Sequence, residues 1–228
     1  MDAEGTVRIA VFDMDGTLAD NVDLAIAAAH DGLREYFARR GGPERFPEAE
    51  EVRALMGLPA DEYFTRLLPP DRREDGRELA WYVERHEVRR LARGEGQAFP
   101  GAETVVQELR AANWKLALVS NCLRPYFEAN LANVVERSWF DVALCLSDGP
   151  SKRELVGVVL RALGGAGPRG AMIGDRAGDI EAGRANGLVT IGCRYGYGAP
   201  GELDGADAQI ASLDELPAAL ERLVPGSG

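Results

Sequence analysis

Five short apolar runs constrain this chain more than any other feature. They lie at 7–13 (VRIAVFD), 115–120 (KLALVS), 140–146 (FDVALCL), 170–175 (GAMIGD) and 188–193 (LVTIGC). Their apolar residues are continuous rather than alternating with polar ones. That pattern belongs to strands buried on both faces, as in a parallel sheet. Helix-period segments at 101–114, 125–139, 151–164 and 179–187 separate or follow them. Strand then helix, repeated, predicts an α/β doubly wound core with right-handed crossovers.

One interval breaks the rhythm. Between Asn21 and Arg93 no run reads as a strand, and the helical pattern is interrupted only at Gly41-Gly42-Pro43, Gly57-Leu58-Pro59 and Pro69-Pro70. Glycine and proline pairs are turn punctuation. A helical block inserted just after the first strand is expected to form an all-helical cap domain over 19–93. Segments 1–18 and 94–228 then form the Rossmann-like core. The stretch 164–170 (GGAGPRG) reads as a loop before a strand, and 225–228 (PGSG) as a frayed tail.

Composition narrows the function. The 228 residues are 46% hydrophobic, enough to bury a core, and carry a net charge of −11 from 26 basic and 37 acidic side chains. Nucleic acid and anionic membrane recruit clustered Lys and Arg, so neither is an expected partner. A small phosphate ester remains open, because a few local cations reverse the field within one pocket. No apolar stretch is long enough to span a bilayer, and the N-terminal residues lack the marks of a signal peptide. Cys122, Cys145 and Cys193 are far apart and without metal-ligand spacing. They read as reduced thiols of a cytoplasmic protein.

The chemistry-bearing clusters sit at the C-terminal ends of the expected strands, the edge where open α/β sheets bind ligands. Asp13-Met14-Asp15-Gly16-Thr17 closes the first run. Carboxylates two residues apart on extended chain point to the same side, and Gly16 lets the backbone approach a ligand. Alone, such a pair also suits an ordinary turn. Ser120-Asn121 closes the second run and offers a hydroxyl and a backbone N–H to a phosphate, though a Ser there also serves as a helix cap. Lys152 opens a helix, where its charge opposes the helix dipole, which suits an anion nearby. Arg153 is its neighbouring competitor. Gly174-Asp175-Arg176-Ala177-Gly178-Asp179 follows the fourth run, and two carboxylates four apart across a loop can face one cation. A capping role would account for Asp179 but not for Asp175.

These four segments, in this order, resemble the motifs of the haloacid-dehalogenase-like superfamily, in the style of its phosphoglycolate phosphatase branch. The D-M-D-G-T and G-D-x-x-x-D stretches carry the likeness most sharply. Around Lys152 the chain has Ser-Lys-Arg where many relatives have Gly-Lys-Pro. The resemblance implies a Mg2+-dependent phosphatase acting on a small phosphate monoester through an aspartyl-phosphate. Asp13 would be the nucleophile and Asp15 the general acid and base. Lys152, Ser120, Asn121 and Gly16 would surround the phosphate. Asp13, the backbone carbonyl of Asp15, and Asp175 would ligate magnesium, with Asp179 a supporting ligand or a group behind the ligands. Likeness to relatives' cap loops suggests Arg53, Gly57, Tyr63 and Arg66 as pocket-lining positions, while His30 and His86 are expected to be structural or solvated. Arg194-Tyr195-Gly196-Tyr197-Gly198 resembles a stretch at the pocket rim of relatives. It also suits a glycine turn with packed tyrosines.

Within the superfamily, a dehalogenase lacks the acid/base at Asp15. A phosphonatase has a cap lysine, whereas the lysines here are Lys115 and Lys152. A sugar phosphomutase keeps both aspartates. From another class, a phosphoacceptor signalling domain would also cluster Asp and Lys at strand ends. The choice among phosphoglycolate, a sugar phosphate, a nucleoside monophosphate and pyrophosphate falls to cap residues, and the sequence carries no signal of oligomeric state.

Overall fold

The structure, a computed structural model, describes residues 7–42, 45–164 and 169–225. Six strands, β1 (Arg8–Phe12), β2 (Lys115–Ser120), β3 (Val142–Cys145), β4 (Arg169–Gly174), β5 (Val189–Cys193) and β6 (Ala208–Ile210), form one parallel sheet in the order β3-β2-β1-β4-β5-β6. The helices are α1 (Val22–Arg40), α2 (Ala49–Leu55), α3 (Ala60–Leu67), α4 (Gly76–Leu91), α5 (Ala102–Ala111), α6 (Arg124–Asn133), α7 (Lys152–Gly164), α8 (Ala177–Ala185) and α9 (Leu216–Leu223). This is the expected doubly wound α/β core with a helical cap.

Alternation along β1 assigns its two faces. Ala10 and Phe12 join the apolar cluster of α5, α6 and α9, with Val105, Phe127 and Leu220. Ile9 and Val11 point the other way, into the cluster of α7 and α8 with Val156, Val159 and Ala182. All four are fully buried. Covering both faces of β1 is what demanded an unbroken apolar run.

Helices α1 to α4 build a separate apolar cluster around Leu33, Tyr36, Val52, Phe64 and Val83. The chain passes between core and cap at two places that lie side by side. Asp20 N–H donates to Gln97 O at 2.8 Å, and Phe99 N–H donates to Leu18 O at 2.8 Å.

Two differences from the sequence expectation have local causes. Strand β6 holds only three residues at the sheet edge, too short to register as an apolar run. The segment expected to be helical over 125–139 leaves the helix at Asn133, and Arg137–Trp139 forms a single 3-10 turn. Both Val134 and Val135 N–H groups bond Asn130 O, and Val135 is wholly buried in the core cluster. Of the loop expected at 164–170, residues 165–168 lie outside the described residues, as do 226–228 of the expected tail and Pro43 of the first cap turn. Among the described residues no helix is long and apolar enough to cross a membrane, and the three cysteines are unpaired.

Helices α1 and α4 approach closely at Gly32. A methyl built there would stand 2.5 Å from a Val83 side-chain carbon and 2.9 Å from the Val83 backbone. Overpacking of this kind typically destabilises by about 1–3 kcal/mol. Gly32→Val is therefore expected to lower the denaturant unfolding midpoint with circular dichroism of the native state preserved. An unchanged midpoint would show that the contact is slack.

Candidate active site

Register gathers the polar clusters. Phe12 pairs with Leu118 on one side and with Ile173 on the other. All strands run the same way, so the residues just beyond these rungs, Asp13, Ser120 and Asp175, emerge abreast. Asp13 N–H extends the ladder by donating to Ile173 O at 2.9 Å. The sheet order reverses its winding between β1 and β4, the position at which an open sheet leaves a crevice.

Lys152 is the first residue of α7 and is 6% exposed. Its Nζ donates to Asp13 Oδ1 at 2.6 Å and to Asp179 Oδ1 at 2.7 Å. Burial opposes its charge, but Asp13 and Asp179 overcome that and hold its pKa above the ordinary lysine value. Arg153, the competitor, is exposed. Asp179 uses its other oxygen to accept the Arg176 N–H at 3.0 Å. Asp175 Oδ2 accepts the Tyr197 N–H at 2.7 Å.

Within this aspartate cluster, the buried oxygens Asp13 Oδ2 and Asp175 Oδ1 have no partner among the described residues. Asp13, Asp175 and Asp179 each offer a carboxylate oxygen within 4.8 Å of the others. Burial, reinforced by the charge of Asp179, pushes the Asp13 carboxyl up to about 7. Burial and the charges of Asp13 and Asp179 likewise push Asp175 well above the usual carboxylate range. Three crowded carboxylates facing one ammonium, with unpartnered oxygens between them, suit a hard divalent cation that takes oxygen ligands. The cluster is a metal-chelating one, consistent with magnesium dependence.

Asp15 is held differently. Tyr126 Oη donates to its Oδ1 at 2.6 Å, and Asn21 Nδ2 lies 3.4 Å from the same oxygen while bonding Tyr126 Oη and Asn130 Oδ1. Burial lifts the Asp15 carboxyl to about 6 against these hydrogen bonds. Gly16 sits at φ +83°, and a methyl there would meet Asp175 Oδ2 at 2.2 Å. Only glycine lets that turn press so close. Ser120 is buried at the cavity wall, its Oγ accepting the Cys122 N–H at 3.2 Å. Asn121 joins core to cap, its Nδ2 donating to Gly57 O at 2.9 Å.

A cavity of about 60 Å³ opens from Asp13, Asp15 and Ser120 toward the cap. Gly57 and Tyr63 line it as expected, but Arg53 and Arg66 do not. Arg53 instead reaches Gly196 O at 3.4 Å and lies over the Tyr197 ring. Arg66 pairs with Glu62 on the surface, one helical turn away. His30 contacts Pro47 O and His86 contacts Glu35, both structural placements. The segment 194–198 forms a glycine turn with packed tyrosines that lies against Asp175. Its tyrosines pack, Tyr195 Oη bonding Thr17 O, while Gly196 and the Tyr197 N–H abut Asp175.

A family model described as haloacid dehalogenase-like hydrolase matches residues 10–193, which hold every one of these aspartates. The chain belongs to this family. A phosphoglycolate phosphatase of Cupriavidus necator is 29% identical, over 95% of both chains. A tyrosine-protein kinase PtkA of Mycobacterium tuberculosis is 26% identical over 93% of this chain and 72% of its own. Among solved structures, CbbY from Rhodobacter sphaeroides in complex with phosphate superposes with TM-score 0.74 at 25% identity, covering 92% of this chain and 96% of that one. A haloacid dehalogenase-like family hydrolase from Streptococcus pneumoniae gives TM-score 0.75 at 21% identity, covering 94% and 98%. The aspartate cluster is of the kind that haloacid dehalogenase-like hydrolases carry, and it supports phosphatase activity.

Several residues of this haloacid dehalogenase-like hydrolase that touch the site went unseen in its sequence: Asn21, Tyr126, Arg176, Glu84 and Glu87. Glu87 alone left a periodic trace. It occupies the four-residue stripe 79, 83, 87, 91 of α4, whose other members are buried Leu79, Val83 and Leu91.

The cluster also sets a pH dependence. The Asp13 carboxyl moves from 3.8 to about 7 on folding and that of Asp15 to about 6. Between those limits the metal-free folded chain keeps protons that the unfolded chain has released, so these groups make stability fall as pH rises. A cation present at 100 times its dissociation constant adds about 2.7 kcal/mol, roughly 5–10 °C in Tm for a chain of this size. Excess Mg2+ is expected to raise Tm by that order at pH 7.5 and to leave Asp175→Asn unmoved. An equal shift in both proteins would place the cation elsewhere.

Proposed function

We propose that the protein hydrolyses a small phosphate monoester through an aspartyl-phosphate formed on Asp13. The observation that carries this reading is the buried Lys152 bridging Asp13 and Asp179 at 2.6 and 2.7 Å, beside the unpartnered Asp13 Oδ2. Lys152 holds Asp13 by one oxygen and leaves the other to attack phosphorus. The attack expels the leaving alcohol, splitting one difficult hydrolysis into two displacements. Asp15, held by Tyr126 with its carboxyl near 6, gives its proton to the departing oxygen. It then takes a proton from the water that opens the aspartyl-phosphate. Ser120, Asn121 and the Gly16 turn border the phosphoryl group, and Lys152 offsets its developing charge.

Asp13 and Asp175 would hold Mg2+, with the Asp15 backbone carbonyl as a further ligand by family resemblance and Asp179 in support. Bound there, the ion would neutralise carboxylate charge and so let a dianionic ester approach. Residues 19–93 act as the cap, and the paired crossings at 18–20 and 97–99 serve as its hinge. Closing the cap excludes bulk water from the reacting atoms. Phosphoglycolate phosphatases among the relatives support this reading over protein-tyrosine phosphorylation. A cytoplasmic setting suits the unpaired thiols.

Asp13→Asn should fold normally and lose kcat by about 10⁴-fold or more, the scale seen on removing a covalent nucleophile. Phosphate release from a panel of small esters, with and without Mg2+, measures it. Release surviving in pure Asp13→Asn protein would refute the assignment. Isomerisation of a sugar phosphate without phosphate release would make the protein a mutase instead.

A further inference from the structure

The wall of the cavity opposite the aspartates is acidic. Glu84 and Glu87, one turn apart on α4, both line it, together with Tyr63 of α3. Glu87 is 5% exposed and Tyr63 8%. Tyr63 Oη and Glu84 Oε1 are buried with no hydrogen-bond partner among the described residues. Together with Asp13 and Asp15, four carboxyl groups border this cavity, and among the described residues no Lys, Arg or His lines it. Ser120, Asn121 and Tyr126 add uncharged polar groups on the core side, and Ala25, Leu58, Phe64 and Leu123 make apolar stretches of the wall. Arg176, which Gly57 abuts, is already committed: its guanidinium donates to Met56 O at 2.6 Å and pairs with Glu202 at 3.0 Å.

We propose that Glu84, Glu87 and Tyr63 form the leaving-group subsite, and that it selects esters whose alcohol portion donates hydrogen bonds and carries no negative charge. The substrate class is then a polyol phosphate or an amino-alcohol phosphate, not a phosphorylated hydroxy acid or a bisphosphate. This inference rests on the phosphatase reading.

The physical reason is desolvation. A substrate carboxylate or second phosphate entering this wall would lose its water without meeting a cation, and an unpaired buried charge is strongly unfavourable. Hydroxyl groups face no such barrier. They find acceptors in both glutamates and a donor or acceptor in Tyr63 Oη, which is now unpartnered. Burial pushes the Glu84 carboxyl up to about 7, and burial with the charges of Glu84 and Asp15 pushes Glu87 well above its usual range. With its carboxyl near 7, Glu84 carries negative charge at pH 7.5 and repels a substrate anion, whereas a hydroxyl can bond a glutamate in either form. An ammonium would ionise the pair and bind it as a counter-ion.

The test compares kcat/KM for glycerol 3-phosphate, phosphoethanolamine and phosphoglycolate with Mg2+ at pH 7.5, esters of similar size and different charge. At least one of the first two should exceed phosphoglycolate by about tenfold or more, the scale of a like-charge mismatch. Glycerol 3-phosphate ahead identifies a polyol site and phosphoethanolamine ahead a cation site. The doubly substituted Glu84→Gln, Glu87→Gln protein should close the gap to within about threefold, chiefly by lowering KM for phosphoglycolate, since the amides donate hydrogen bonds without charge. Phosphoglycolate turned over as well as or better than both others would overturn the subsite and leave the phosphatase standing. So would a gap unchanged in the variant. No phosphate from any of the three esters would overturn both.

Discussion

A single buried ammonium organises the functional end of this molecule. Lys152 stands between Asp13 and Asp179 with almost no access to water. Removing three charges from solvent is strongly unfavourable unless they are paired with good geometry. The chain meets that condition by starting α7 at Lys152, so that the side chain leaves the helix toward the sheet edge. Asp175 then adds a further carboxyl that Lys152 cannot neutralise. A fold that buries more acid than base in one place is one that binds a cation, or a proton, as part of its working state.

Three glycines let these acids crowd together. A methyl at Gly16 or Gly196 would overlap Asp175, and one at Gly174 would overlap Asp179. The aspartates are thus set by backbone packing rather than by flexible side-chain choice. Their positions are coupled to the cap as well. Asn121 holds Gly57 O, and Arg176 holds the carbonyls of Ala54 and Met56. The loop that roofs the cavity is bonded to the same two segments that deliver Ser120 and Asp175.

Much of this was legible because Asp13, Ser120 and Asp175 each lie at or just past the end of a buried strand. Unbroken apolar runs located those ends and parallel strands made their termini converge, while resemblance to the family's motifs favoured Asp13, Ser120 and Asp175 as site residues over turn or cap readings. What stayed hidden depends on tertiary approach. Tyr126 meets Asp15 across 111 positions of sequence, and nothing local to α6 distinguishes it from a core tyrosine. Arg53 and Arg66 were drawn in by likeness to cap loops, yet helical rotation turns one to the Tyr197 ring and the other to solvent-facing Glu62. Glu87 could have been found, since an acid in a buried four-residue stripe is costly unless its charge is used. Strand β6 could not, because three residues carry too little pattern.

The side-by-side crossings of the chain at 18–20 and 97–99 have a consequence for the family's history. With both ends of the inserted segment hydrogen-bonded together on the core, the intervening helices are, to the sheet, a loop already closed. The entropy of closing a loop rises only slowly with length, by about 0.6 kcal/mol per doubling. A lineage can therefore lengthen, shorten or wholly rebuild what lies between those crossings while the chemistry beneath persists. New substrates would be met by rewriting the roof and leaving the floor untouched.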